Sequence, residues 1–175
     1  DADLTADPAG PFRATLAASG LRAAGHRFST LGLTLDGTRA AHRATFSAAL
    51  DDHALELALS GGLDGVAPGE TWRDARWRGT LVRLKLAGPW PLELLAPATL
   101  QASLAAQSVG PFSLRQRGAT LIVEQLEHAQ TPAGARRWAT RGRLTGLAAA
   151  PLLAEFAPAA PLASDLVVGG EWQLA

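Results

Sequence analysis

Alternation with period two runs through most of this chain and limits what it can fold into. In an extended strand, successive side chains point to opposite faces. An apolar residue at every second position therefore gives one greasy face and one polar face. Phe12, Ala14, Leu16 and Ala18 alternate with Arg13 and Thr15, and Leu31, Leu33 and Leu35 alternate with Gly32, Thr34 and Asp36. Ala44, Phe46, Ala48 and Leu50 alternate with Arg43, Thr45 and Ser47, and Leu55, Leu57 and Leu59 with Glu56, Ala58 and Ser60. The pattern returns at Trp138 to Leu144 and at Leu166 to Leu174. Wound as helices, these segments would put arginine and leucine on the same side. The chain therefore reads as strands near 12–18, 27–36, 41–51, 54–62, 71–86, 91–95, 98–106, 112–117, 119–127, 136–147 and 165–175.

One run changes phase. Trp77, Gly79 and Leu81 share a parity, whereas Val82, Leu84 and Leu86 take the other, opposite Arg83 and Lys85. A single extra residue near Leu81-Val82 restores one apolar face, which is the work of a β-bulge. Gly-Pro-aromatic occurs at Gly10-Pro11-Phe12, Gly88-Pro89-Trp90 and Gly110-Pro111-Phe112. Proline is tolerated at the start of a strand, where its missing N–H costs little. These triplets, and Arg-Ala-Thr at positions 13–15 and 43–45, are weak internal repeats of a strand unit. One short helix is expected near 151–157, with Pro151 in its first turn and Pro158 as its stop. The 148–164 stretch of helix and Pro/Ala linker is a possible sub-boundary within a single 1–175 unit.

Chemistry is sparse. The chain has 175 residues, 16 basic and 16 acidic groups, zero formal net charge and no cysteine. A nucleic-acid binder ordinarily carries a basic footprint, so none is expected here. With 47% hydrophobic and 18% charged residues, the chain is not of the disordered class. His26, His42, His53 and His128 lack metal-site spacing, and each reads as a surface or turn residue. Asp51-Asp52-His53 falls where a hairpin should turn, Asp64 and Glu70 lie in a Gly/Pro loop, and Gly61 to Gly65 reads as a turn rather than a phosphate cradle. No catalytic residue, metal ligand or cofactor site is therefore expected, and the chain does not read as an enzyme. Arg76, Arg78, Arg137, Arg141 and Arg143 sit opposite apolar residues and read as a solvated outer face, or as contacts to anionic lipid headgroups or an acidic partner. No run of about 18 consecutive apolar residues occurs. Both ends fall inside alternating runs, so the chain is expected to be a segment of a longer protein.

The order of these elements resembles the C-terminal periplasmic part of the TamB family, within the AsmA-like group of envelope proteins. The resemblance rests on Leu31 to Thr38 running into Ala40-Ala41-His42, on Leu55 to Leu63 leading to Trp77-Arg78-Gly79-Thr80-Leu81, and on Leu84 to Leu92 followed by Pro97-Ala98-Thr99-Leu100. Trp138 to Leu147 with Pro151-Leu152-Leu153, and Leu166 to Leu174 with Gly170 and Trp172, resemble the end of one unit and the start of the next. These are strand-and-turn signatures and span nearly the whole chain.

The resemblance implies an all-β fold, an elongated curled sheet forming an open gutter with an apolar interior. It implies a periplasmic location in a Gram-negative bacterium, within a protein held in the inner membrane by an N-terminal anchor outside this sequence. The partners it implies are phospholipid acyl chains and an outer-membrane barrel protein of the TamA type. The implied function is carriage of lipid from inner to outer membrane, with support for outer-membrane protein assembly. The expected lining is Leu31, Leu33, Leu35, Phe46, Leu57, Leu59, Leu81, Leu84, Leu86, Leu144 and Val168. The pattern alone also fits a closed β-sandwich core. The alternative function is then a protein-interaction module that binds the barrel partner, or a nascent outer-membrane protein, by β-augmentation.

Overall fold

The computed structural model describes the chain except at residues 1, 5–9, 24–25, 65–74, 132–133 and 157–163. In chain order the elements are β1 (Ala2–Leu4), β2 (Phe12–Ala23), β3 (His26–Gly37), β4 (His42–Leu50), β5 (His53–Asp64) and β6 (Arg76–Ala87). There follow β7 (Leu92–Leu94), β8 (Ala98–Ala102), β9 (Ala106–Val109), β10 (Phe112–Gln116), β11 (Ala119–Gln130), β12 (Arg136–Ala148), α1 (Ala149–Phe156) and β13 (Val167–Leu174). The fold is all-β with one short helix, as the alternation implies. The helix begins two residues before the expected 151, with Pro151 in its first turn.

All thirteen strands belong to one antiparallel sheet, ordered β1-β2-β3-β4-β5-β6-β7-β10-β11-β12-β13. β1 and β13 stand at its two ends and do not pair with each other, so the sheet is open. Between the long strands β6 and β11 lie two tiers of short strands. Trp77–Leu81 of β6 pairs with β8, whereas Lys85 and Leu86 pair with β7. On the far side, β11 pairs with β9 through Leu126–Ala129 and with β10 through Ala119–Val123. β8–β9 and β7–β10 thus bridge the same gap side by side.

The bulge expected near Leu81-Val82 is present. Ala58 faces Arg83 and Leu59 faces Leu81, which leaves Val82 as the extra residue. Register also shifts between Phe28 and Thr30, between Val123 and Gln125, and between Leu144 and Leu147. Each bulge bends its strand and sharpens the local twist.

Two readings need correction. The expected strand at 98–106 is a hairpin, β8–β9. Its turn is closed by Ser103, whose backbone N–H donates to Ala106 O at 2.7 Å and whose hydroxyl oxygen accepts from Ala106 N–H at 3.0 Å. Gly61 and Gly62 do not turn; they continue β5 to Asp64. Of the strand expected over 71–86, residues 71–74 lie outside the described residues.

No closed sandwich core forms among the described residues. Their only buried apolar side chains are Ala98, Ala119 and Val123, and no large side chain is fully buried. The chain exposes 11,791 Å² of surface. A compact folded chain of 18.1 kDa would expose about 8,100 Å². An uncovered sheet face adds to that exposure.

Candidate functional site

The ladders place the apolar parities of successive strands on one face. Leu16 pairs with Leu33, Leu33 with Phe46, Phe46 with Leu57, and Leu57 with Leu84. Leu86 pairs with Leu92 of β7, whose Leu94 pairs with Leu114; Leu114 then faces Leu121, and Leu121 faces Leu144. A nearly unbroken row of large apolar side chains therefore crosses nine strands, from β2 to β12. At about 4.8 Å per strand this row is roughly 38 Å long, against the ~30 Å that two opposed acyl chains fill in a bilayer.

Flanking rows run parallel to it. Leu31, Ala48, Leu55 and Leu86 form one, and Leu35, Ala44, Leu59, Leu81 and Ala98 form another. Of the expected lining residues, Leu31, Leu33, Leu35, Phe46, Leu57, Leu59, Leu81, Leu84 and Leu86 thus form one contiguous patch on β3–β6. Leu144 and Val168 share the face but lie at its far end, on β12 and β13. Most of the set is half-buried; Leu33 and Val168 are exposed at 38% and 40%. Leu16, Leu55, Leu92, Leu94, Leu114 and Leu121 also belong to the face, outside the expected lining set. The first two keep the alternation. The others sit in short strands or in the unbroken run Leu121-Ile122-Val123, where parity gives no guide.

The opposite face is polar. Arg83 pairs with Glu56 at 2.7 Å, Arg115 with Glu93 at 2.9 Å, Arg141 with Glu124 at 2.9 Å, and Arg78 with Asp64 at 3.4 Å. All four pairs are about half exposed, so solvent screening leaves each of them little weight in stability. Arg76, Arg137 and Arg143 are exposed on the same parity.

Where the apolar face meets the β3–β4 turn, glycine and tryptophan replace leucine. The Trp77 ring lies over Gly61 and Gly79, where added Cβ atoms would stand 2.5 and 2.3 Å from its carbons. Trp172 covers Gly142 in the same way. An aromatic ring laid over a glycine returns the apolar cover that the missing side chain gives up. Trp77 Nε1–H donates to His42 Nε2 at 2.8 Å. That bond makes Nε2 an acceptor, so Nδ1 carries the proton and donates to Thr38 O at 3.2 Å. His42 is therefore no simple surface residue. The His128 ring packs at a tilt of 43° against Trp138, with centroids 4.4 Å apart, and its Nδ1 lies 2.6 Å from Gln107 Oε1.

No family model, curated protein or solved structure matches this chain.

Site chemistry therefore rests on the geometry alone. Among the described residues no three His, Asp or Glu side chains come together in a way that could hold a metal ion. Asp51-Asp52 forms the β4–β5 turn as expected, with Asp52 Oδ1 2.7 Å from His53 Nδ1. Asp64 is paired with Arg78, and Glu70 lies outside the described residues. Among the described residues no helix is long and apolar enough to cross a membrane.

An apolar hollow of about 410 Å³ opens at the β4–β5 end of the face, lined by Phe28, Phe46, Ala48, Leu50, Leu55 and Leu86, with Asp51, Asp52 and His53 at its rim. The arrangement offers extended, non-directional contact to a flexible apolar ligand. It offers few fixed polar groups with which to read one.

Proposed function

We propose that this chain is a stretch of a lipid-shielding ribbon of the TamB type. In this reading, phospholipid acyl chains lie on the apolar face while they cross the periplasm from the inner to the outer membrane. The parent protein is anchored in the inner membrane, and its far end meets an outer-membrane barrel partner of the TamA type and supports assembly of outer-membrane proteins. The observation that carries the reading is the row of aliphatic side chains that no second layer covers.

The energetics fit such a role. Each methylene kept from water is worth about 0.8 kcal/mol, so a sixteen-carbon chain costs roughly 12 kcal/mol to expose. Neighbouring positions on a uniform leucine row offer nearly equal contact, so sliding along it is cheap while leaving it is costly. No bond is made or broken, and no catalyst is needed.

Mass spectrometry of lipids that co-purify with the chain tests this directly, together with photo-crosslinkers at Leu57 and Leu84. Phospholipid should be captured at both positions, and Leu84→Glu should abolish the capture while the sheet still folds. Crosslinkers that trap no lipid at either position would overturn the reading.

A second reading draws on β13. Its outer edge pairs with nothing among the described residues, and Val167, Val168 and Leu174 on it are exposed. Such an edge can recruit a strand of a protein partner by β-augmentation. A proline in β13 would then abolish partner binding, whereas Leu84→Glu would not.

A further inference from the structure

One end of the sheet gathers amphipathic rings, exposed apolar side chains and arginine. Trp77, Ala102, Gln107, His128 and Trp138 are register partners in turn across β6, β8, β9, β11 and β12, on the apolar face. Gln107 holds this row at its centre: its Nε2–H donates to Ser103 O at 2.8 Å, and its Oε1 faces His128 Nδ1 at 2.6 Å. The next row inward is aliphatic, with Leu100, Val109 and Leu126 between Gly79 and Thr140. Polarity therefore falls in one step along the strands, from ring and amide to plain hydrocarbon. At this end Leu104, on the tip of the β8–β9 turn, is 70% exposed, Trp138 59% and Leu174 64%. Arginine brackets both tryptophans in sequence, as Arg76-Trp77-Arg78 and Arg136-Arg137-Trp138, and all four arginines are exposed. Arg39 adds to them from the β3–β4 turn. The acidic residues at this end, among those described, are Asp64, Glu127 and Asp36. Asp64 is engaged by Arg78 at 3.4 Å, and Asp36 lies one step inward between its register partners Arg13 and Arg43. The opposite end carries both signs, with Asp51 and Asp52 at the β4–β5 turn and Arg117 after β10.

A lone leucine or tryptophan in water is ordinary. Here three large apolar side chains stand at one end of neighbouring strands, with cations alongside and amphipathic rings behind them. An anionic bilayer surface matches all three features: apolar tips enter the hydrocarbon boundary, Trp and His rings sit at headgroup level, and arginines meet lipid phosphates. An acidic polypeptide would meet the arginines and leave Leu104 and Leu174 without a partner. We infer that this end of the sheet docks on an anionic bilayer surface, with Leu104, Trp138 and Leu174 in the interface and Arg76, Arg136 and Arg137 on the headgroups. Such docking goes beyond the lipid path and needs no acyl chain on the leucine rows. Where the path also holds, Leu100, Val109 and Leu126 give a chain leaving the bilayer a dry way onto it.

Flotation of the 175-residue chain with extruded vesicles tests this. The vesicles are phosphatidylcholine alone, and phosphatidylcholine with an equal part of phosphatidylglycerol. Partition onto the mixed vesicles should be at least about tenfold stronger than onto phosphatidylcholine alone, since each arginine at an anionic surface adds about fivefold. Arg137→Gln should weaken partition onto the mixed vesicles by about fivefold. Leu104→Ser should weaken it by about tenfold, the worth of one leucine taken from water. Both side chains are exposed, so the fold survives either change. The chain has no cysteine, so a nitrobenzoxadiazole label can be placed at Leu104→Cys, where its emission should shift to the blue on the mixed vesicles. The same label at Ser29→Cys, near the opposite end, should not shift. Equal partition onto both kinds of vesicle, no partition at all, binding unmoved by either substitution, or a shift at Ser29 instead of Leu104 overturns the docking end. Polyglutamate binding as tightly as the mixed vesicles would make the arginines a site for acidic polypeptides and overturns it too. Lipid captured at Leu57 and Leu84 is read separately, so each of these failures leaves the lipid path standing.

Discussion

An added methyl at Gly62 would stand 1.8 Å from the carbonyl oxygen of Ala40. The β3–β4 turn folds back onto β5 there, and Leu63 N–H donates to Arg39 O at 2.9 Å. Backbone on both sides leaves little room to relax, so Gly62→Ala should cost about 2–3 kcal/mol in urea unfolding. Gly170→Ala is the control: nothing lies within 4 Å of its added Cβ, and the change should stay within about 0.5 kcal/mol. Glu93 gives a second prediction at this scale. Its hydrogen bond from Arg115, then the charge of Arg115, lowers its pKa against an opposing desolvation. A carboxyl whose folded pKa is depressed stabilises the fold above its unfolded pKa, and loses that contribution as pH falls through the folded value. In Arg115→Gln the Glu93 carboxyl, followed by carbon NMR, should titrate at higher pH than in the parent chain. An unchanged midpoint would mean that the ion pair seen here is not populated in solution.

At the scale of elements, the bulge in β6 joins two runs of opposite parity. Deleting Val82 would close the ladder and leave Trp77, Leu81, Leu84 and Leu86 together on the apolar face, because Leu59–Leu81, Ala58–Arg83 and Leu57–Leu84 then pair without interruption. Only the bend of the bulge and one exposed side chain are lost, so the deletion should cost less than about 1 kcal/mol. Val82→Ser, at a side chain 48% exposed, should cost less than about 0.5 kcal/mol. A deletion cost above about 2 kcal/mol would show that regular pairing across this point does not keep these side chains on one face. This bulge could be read from the sequence because a change of phase is a local signal. The Ser103-Leu104-Ala105 turn could not: it contains neither glycine nor proline, and side-chain bonds from Ser103 close it. Nor could the two tiers between β6 and β11, since pairing partners up to 25 residues apart, such as Trp77 with Ala102 or Ser108 with Glu127, leave no mark in local alternation. Gly61 looked like turn punctuation because glycine serves both turns and close approaches. Only the Trp77 ring above it decides between them.

At the scale of the whole molecule, alternation sets which residues share a face but not what covers that face. The row Leu33, Phe46, Leu57 and Leu84 would read the same beneath a second sheet. Coverage is decided by tertiary contacts, and here they leave 11,791 Å² in water. The heat capacity of unfolding reports on it. A compact chain of 175 residues unfolds with a heat-capacity change of roughly 2.1–2.6 kcal/mol/K, most of it from apolar surface newly exposed. Much of the apolar face of this sheet is already hydrated when folded, so calorimetry on the dilute chain should return a value below that range. An amphiphile that binds the folded face alone should raise the melting temperature by mass action and bring the heat-capacity change up, because unfolding then also strips the ligand from the leucine row. A value already inside the compact range for a chain shown to be monomeric by sedimentation would mean that the face is covered from within. The row from Leu16 to Leu144 would then be a core rather than a path.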